Sequence, residues 1–264
     1  MKKIEKLQIW LKDECNQDYT IAELKQLKEL CVSFKKDLTS LPSEIGQLKN
    51  LQELCVTNNR SLVSLPPEIG KLKNLRVLTV ACCIVLTSIP PEIGNLKNLQ
   101  ELNLYACRLT SLPPEIGQLL NLSELRLYLN KLTSIPSEIG QLTYLRELYL
   151  TNNNLTSLPY EITQMKKLQV LDLAHNEFRL ISPGIGQLEN LQKLILHHNE
   201  LTLIPPSIGE LNNLRVLILA YNKLTILPKE IELLHNLEFL NLMCNENLTN
   251  IPTKIGQFTR ILYY

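Results

Sequence analysis

The chain is poor in most of what marks an enzyme or a nucleic-acid binder. Its 264 residues include one tryptophan and three methionines, and aromatic residues make up only 5%. Neither charge is in excess: 27 Lys and Arg stand against 26 Asp and Glu, a formal net charge of +1. That balance leaves no electrostatic footprint for a polyanion, so no nucleic acid and no anionic membrane is expected as a partner. No stretch approaches the roughly 18 consecutive apolar residues of a membrane span. The opening MKKIEKLQIWLKDE puts Glu5, Lys6, Gln8 and Lys12 where a signal peptide needs an apolar run. The patterns GxxxxGK, GxSxG, HExxH and CxxC are all missing. With no nucleophile, base and orienting group in view, neither catalysis nor a cofactor is expected. Disulfide spacing is missing too. The seven cysteines, Cys15, Cys31, Cys55, Cys82, Cys83, Cys107 and Cys244, are odd in number, and neither end of the chain carries a cluster of them. Reduced thiols in a cytoplasm are the simpler account.

What the chain has in abundance is repetition. A block reading roughly LxxLxLxxNxLTSLPxEIGQLxN begins at Leu27, Leu51, Leu75, Leu99, Leu122, Leu145, Leu168, Leu191, Leu214 and Leu237. Self-similarity at this period is the signature of a stacked solenoid, whose units cannot bury their apolar faces alone. In the copy from Leu145 to Lys167, Leu148 and Leu150 are two apart and point one way from an extended strand. Glu147, Tyr149 and Thr151 then face the other way. Asn153 ends the strand at a turn where its amide can satisfy backbone groups that stacking would bury. Leu155 and Leu158 turn inward, and Pro159 stops further strand pairing. Ile162 and Met165 are spaced for one turn of α- or 3-10 helix. Glycines at 46, 70, 94, 117 and 140 suit a crowded backbone there.

These residues resemble the leucine-rich repeat family, and the LPxEIGxL phrase looks like its intracellular 23-residue class. The resemblance covers Leu27 to about Arg260. It implies an α/β, right-handed solenoid with a parallel sheet on the concave face and short α or 3-10 turns on the convex face. It names a scaffold and not a ligand.

The organisation expected is an N-terminal cap or degenerate repeat over 1–26, ten repeats over 27–260, and the start of a further repeat over 261–264. In the first segment Ile4, Leu7, Ile9, Ile21 and Leu24 fit a degenerate repeat, while Ile4, Leu7 and Leu11 also fit one helix face. The repeat pattern is the favoured reading. Cys83 and Cys107 stand at the asparagine position as small buried residues with weak donors. Lys35 stands there too and cannot do that work, so the first turn should be looser. The copies from Leu27, Leu51, Leu75 and Leu237 carry one extra residue after that position, which predicts a bulge at the rim without a change of register. Ile261 to Tyr264 begin another strand, whose open edge could support a weak end-to-end homodimer.

Function, on this plan, belongs to strand residues that point away from the core, in columns roughly 4.8 Å apart. One column reads Glu29, Glu53, Val77, Glu101, Glu124, Glu147, Val170, Lys193, Val216, Phe239, an acidic track that repeat copying also explains. Apolar and aromatic side chains collect on the same face: Tyr105, Tyr128 and Tyr149, then Val170, Ile195, Ile218, Tyr221 and Phe239. Such patches mark interfaces, and tyrosine is enriched where binding energy concentrates. Arg126, Asp172, His197 and His198 complete the expected contact surface. His175, His197 and His198 gather three of the four histidines in neighbouring turns, read as polar interface residues and not as a metal site. Cys31 and Cys55 share an outward position on adjacent strands and are read as unpaired thiols.

The reading is a non-enzymatic scaffold that binds a protein or peptide. Its alternatives are a substrate-selecting module working with an enzyme such as a Roco-type GTPase or ubiquitin ligase, and an adhesive role through the C-terminal edge.

Overall fold

The computed structural model describes residues 2–249, 251–252 and 260–262. By its contacts the chain divides into two compact units, Met1–Asn130 and Lys131–Tyr264.

The first unit opens with helix α1, Lys3–Cys15, and helix α2, Ile21–Gln26. This segment is therefore two helices joined by the non-helical residues 16–20, with no strand ahead of Glu29 among the described residues. Leu7, Leu11 and Cys15 lie on one side of α1 and are buried with Leu24 of α2. A capping box starts α2: the Thr20 hydroxyl accepts from the Glu23 amide at 3.2 Å, and Glu23 Oε2 accepts from the Thr20 amide at 2.7 Å. Asn16 ends α1 in the left-handed region, φ 55°. The side chain of Gln17 donates to the Cys31 carbonyl at 2.8 Å, tying this helical segment to the first strand.

Five parallel strands follow, each paired with the next in chain order: β1 Glu29–Ser33, β2 Glu53–Thr57, β3 Val77–Ala81, β4 Glu101–Asn103 and β5 Glu124–Arg126. The register is one repeat per strand, with Leu30, Leu54, Leu78, Leu102 and Leu125 aligned and buried. The extra residue in the early copies does not shift it. The second unit holds β6 Glu147–Tyr149, β7 Val170–Asp172, β8 Lys193–Ile195, β9 Val216–Ile218, β10 Phe239–Asn241 and β11 Arg260–Leu262, again parallel and in sequence order. Tyr263 and Tyr264, expected to extend the last strand, lie outside the described residues.

Opposite the strands, each described EIGQ-like phrase forms a five-residue 3-10 segment, from Ser43–Gln47 to Lys229–Leu233. Their packing is close enough to require glycine. A Cβ on Gly94 would sit 2.5 Å from the Glu115 carbonyl oxygen, and one on Gly140 would sit 2.4 Å from that of Glu161. Glu232 takes the glycine place in the ninth copy, and Thr163 takes it in the sixth. Leu158, expected in the core, is only half-buried there. It lines a cavity of about 60 Å³ together with Ile162, Thr163, Phe178 and Ile181.

Two asparagine ladders hold successive coils together. The inner one is the ladder that the turn position predicted. Asn176 accepts from the Leu155 amide at 3.0 Å and donates to the Leu150 and Leu173 carbonyls at 2.9 and 3.1 Å. Asn199 and Asn222 repeat the pattern one and two coils on. Cys83 and Cys107 occupy the same place with long thiol contacts to the Val56 and Val80 carbonyls, at 3.7 and 3.5 Å. Lys35 cannot make the inward bonds, yet its own amide donates to Asn59 Oδ1 at 2.9 Å, so this turn is closed by its neighbour.

The outer ladder uses the asparagine just before each repeat's first leucine. Asn74, Asn98 and Asn121 each donate to a lysine carbonyl of the preceding copy at 2.8 Å. Where Tyr144 and Lys167 replace asparagine, they meet each other instead, with the ammonium 3.6 Å from the ring centroid.

Candidate interaction surface and its relatives

Every side chain expected to form the contact surface reaches solvent. Tyr105, Arg126, Tyr128, Tyr149, Val170, Asp172, Ile195, His197, Ile218 and Phe239 are half-buried, while His198 and Tyr221 are exposed. Half-burial follows from the pleat: an outward residue lies between the equivalent residues of adjacent strands and shows only its outer edge.

In the first unit Tyr105 and Tyr128 hold equivalent places just past β4 and β5. Their rings stack with centroids 5.0 Å apart and planes 18° apart. A hydrogen bond with the Cys82 thiol pushes the Tyr105 phenol up to about 12, so it remains a neutral donor at physiological pH. Arg126 is turned onto Glu124 at 2.5 Å, an ion pair that offsets the charge of the acidic column at this strand. Glu29, Glu53 and Glu101 do align in that column, with Val77 between them.

Nearby, Cys31 and Cys55 are register partners and both thiols are free. Burial, then the hydrogen bond to Cys31, pushes the Cys55 thiol above its ordinary value. That makes it a poor nucleophile.

In the second unit Tyr149 occupies a different outward position from the stacked pair, two residues earlier in its copy. Its hydroxyl donates to Glu147 Oε2 at 2.6 Å. Asp172 follows in the same column, then Ile195, Ile218 and Asn241. Asp172 Oδ1 accepts from the Ala174 amide at 3.0 Å, and Asn241 Oδ1 accepts from the Met243 amide at 3.0 Å. These short polar side chains brace the strand ends as well as facing outward. The first column runs Glu147, Val170, Lys193, Val216, Phe239.

The residue before each ladder position lies in the left-handed region. Phe34, Leu129, His175, His198 and Tyr221 are among them, with φ between 50° and 60°. Sequence reasoning singled out several of these residues but not the shared backbone conformation. The periodic spacing of the turn was the only available signal. The consequence is a column of side chains thrown outward together. The rings of His175 and His198 stack at 4.1 Å and 14°, and those of His198 and Tyr221 at 4.2 Å and 8°. His197 meets both histidines edge-on, with centroids 5.1 and 5.3 Å away. It is flanked in its own column by Ala174 and Ala220, both buried and small enough to leave room for an imidazole. One ring nitrogen from each of the three histidines can be chosen so that all lie within 4.8 Å of one another. Burial is the main influence holding the His175 and His197 imidazoles below their ordinary value. Neighbouring imidazoles add to it and Asp172 opposes it.

No helix among the described residues is long and apolar enough to cross a membrane. Family models describing a leucine-rich repeat region match residues 3–134 and 137–217, and one describing a leucine rich repeat matches 189–246. A leucine-rich repeat protein of Leptospira interrogans is 37% identical, over 92% of this chain and 80% of that one, with a TM-score of 0.63. The plant peptide hormone receptor RGFR1, solved in complex with RGF2, is 29% identical with a TM-score of 0.63. Its match covers 90% of this chain but only 47% of the receptor chain. The leucine-rich repeat domain of the type III effector XopL is 25% identical over 89% of this chain and 76% of its own, with a TM-score of 0.58. Among curated proteins no match is found. The phrase repeated along the sequence, the one-repeat-per-strand register and these matches agree: the chain belongs to the leucine-rich repeat family.

Proposed function

We propose that this protein is a non-catalytic scaffold that captures a protein or peptide segment on the outward face of its strands. Leucine-rich repeats commonly serve protein–protein interaction, and the RGFR1 relative is a peptide hormone receptor solved with RGF2. The observation that carries the reading is the composition of the strand face. Its apolar and aromatic side chains have no part in the core, yet they are ordered against one another. Tyr105 stacks on Tyr128 in the first unit. Ile195 aligns with Ile218, and His198 stacks on Tyr221, in the second. Flat, pre-positioned rings lose little conformational entropy on binding, which is why such residues dominate interface energetics. Each unit thus offers an apolar strip with polar neighbours, Arg126 and Glu124 in the first, Asp172 and His197 in the second. Seven thiols, none in a disulfide, support placing the protein in a reducing compartment such as the cytoplasm.

The test is affinity capture from native lysate with the wild type and two double variants, Tyr105→Ser/Tyr128→Ser and Ile195→Ser/Ile218→Ser. Both variants should melt close to the wild type, and at least one should lose most of the captured partner. Capture at wild-type yield by both would refute the proposal.

A further inference from the structure

We propose that His175, His197 and His198 form a binding site for a divalent transition-metal ion of the zinc class. The three residues come from two consecutive copies, and the fold delivers one ring nitrogen from each into a group no wider than 4.8 Å. Tetrahedral zinc with bonds of about 2.0–2.1 Å needs donor nitrogens roughly 3.3 Å apart. The cluster is therefore about one side-chain rotation from a binding geometry. The freedom for that rotation lies where it is needed. His175 and His198 project from exposed left-handed turn positions, whereas His197 is half-buried between Ala174 and Ala220 and acts as the fixed donor. The stacked pair cannot bind as it stands, because planes 14° apart direct their in-plane lone pairs side by side. One ring must leave the stack for an ion to enter.

The donor set selects the ion. Three imidazoles suit zinc, copper or nickel, and give magnesium or calcium nothing they prefer. Asp172 adds a negative charge beside the rings, with one oxygen held by the Ala174 amide. Three protein donors would leave a tetrahedral position for water or for a donor brought by a binding partner. An ordinary turn rich in histidine accounts for the stack alone. It does not account for the third, edge-on ring placed beside two alanines.

The experiment uses the full chain, stripped with a chelator and titrated with Zn²⁺ by calorimetry, with Co²⁺ as an absorption probe. One saturable ion per chain is expected, with a cobalt visible spectrum of a low-symmetry nitrogen and oxygen site. Each of His175→Asn, His197→Ala and His198→Asn should weaken binding at least tenfold, whereas His235→Ala should not. Asparagine is chosen at 175 and 198 because it tolerates the left-handed backbone. Circular dichroism of these exposed-site variants checks that the fold is retained. In the wild type, zinc should shift the ring resonances of three histidines and spare the fourth. The proposal is overturned by no saturable binding, by binding that survives the triple variant, or by a thiolate charge-transfer band.

Discussion

Replacing Asn176 by alanine isolates what the inner ladder contributes. Its amide nitrogen serves the Leu150, Leu173 and Ala174 carbonyls at 2.9–3.1 Å, and its oxygen takes the Leu155 amide proton at 3.0 Å. The carbonyls are shared along the ladder: Leu150 also accepts from Asn153 and Leu173 from Asn199. They keep one partner each after the substitution. The Leu155 amide keeps none from the ladder, in a site whose asparagine is only 8% exposed. An orphaned buried donor costs about 1–3 kcal/mol, and each ordinary bond lost adds roughly 0.5–1.5 kcal/mol. A loss of about 3 kcal/mol is expected, lowering the melting temperature by on the order of 10 °C. Because repeat arrays open by neighbouring units, hydrogen exchange should accelerate most at the strands flanking residue 176. Urea denaturation and exchange mass spectrometry together provide the assay. A loss below about 1 kcal/mol, or acceleration spread evenly along the chain, would refute the ladder as the agent of cohesion.

Other expectations follow the same geometry. Cys83→Asn should stabilise the first unit by about 1 kcal/mol, since an amide would replace a thiol contact of 3.7 Å; an unchanged denaturation midpoint would count against this. Gly94→Ala should destabilise by roughly 1–3 kcal/mol, because the new methyl meets a carbonyl at 2.5 Å, and thermal unfolding measures it. For pH, the His175 and His197 imidazoles titrate below the ordinary 6.5 in the folded chain. The unfolded chain therefore binds more protons as pH falls through 6.5. Stability present above that value should be lost on acidification towards the lower folded values, and His197→Ala should flatten this slope in melts taken without metal.

The architecture was legible because each copy restates it. Alternating apolar residues recur in all ten copies and a turn asparagine in seven of them, so an ambiguity in one copy is settled by the others. Where a single copy spoke alone, the reading was less secure. The apolar spacing of residues 1–26 fits a helix face as well as the degenerate repeat it favours, and the structure forms helices at Lys3–Cys15 and Ile21–Gln26. The Thr20 to Glu23 capping box was the local clue that favoured helix. Leu158 has the spacing of a core residue, yet it is half-buried and lines a cavity with Thr163, which stands at the glycine position. On the surface, the outward columns followed directly from the period of two. What the pattern could not supply was side-chain pairing: Arg126 folds onto Glu124, Tyr149 onto Glu147, and Tyr144 pairs with Lys167. Those choices depend on rotamers and neighbouring charges, which the repeat does not encode.

Ten turns carry a non-glycine residue in the left-handed region, from Phe34 to Cys244, and among the described residues no glycine has positive φ. An L-residue there costs about 1 kcal/mol or more relative to glycine, somewhat less for asparagine. Glycine at Leu129, His198 or Tyr221 would thus relax the backbone while deleting an outward side chain. Selection for thermostability alone should drift towards glycine at these positions and leave a smoother, less adhesive molecule, so variants recovered from such a screen would reveal which turns the protein keeps strained for contact.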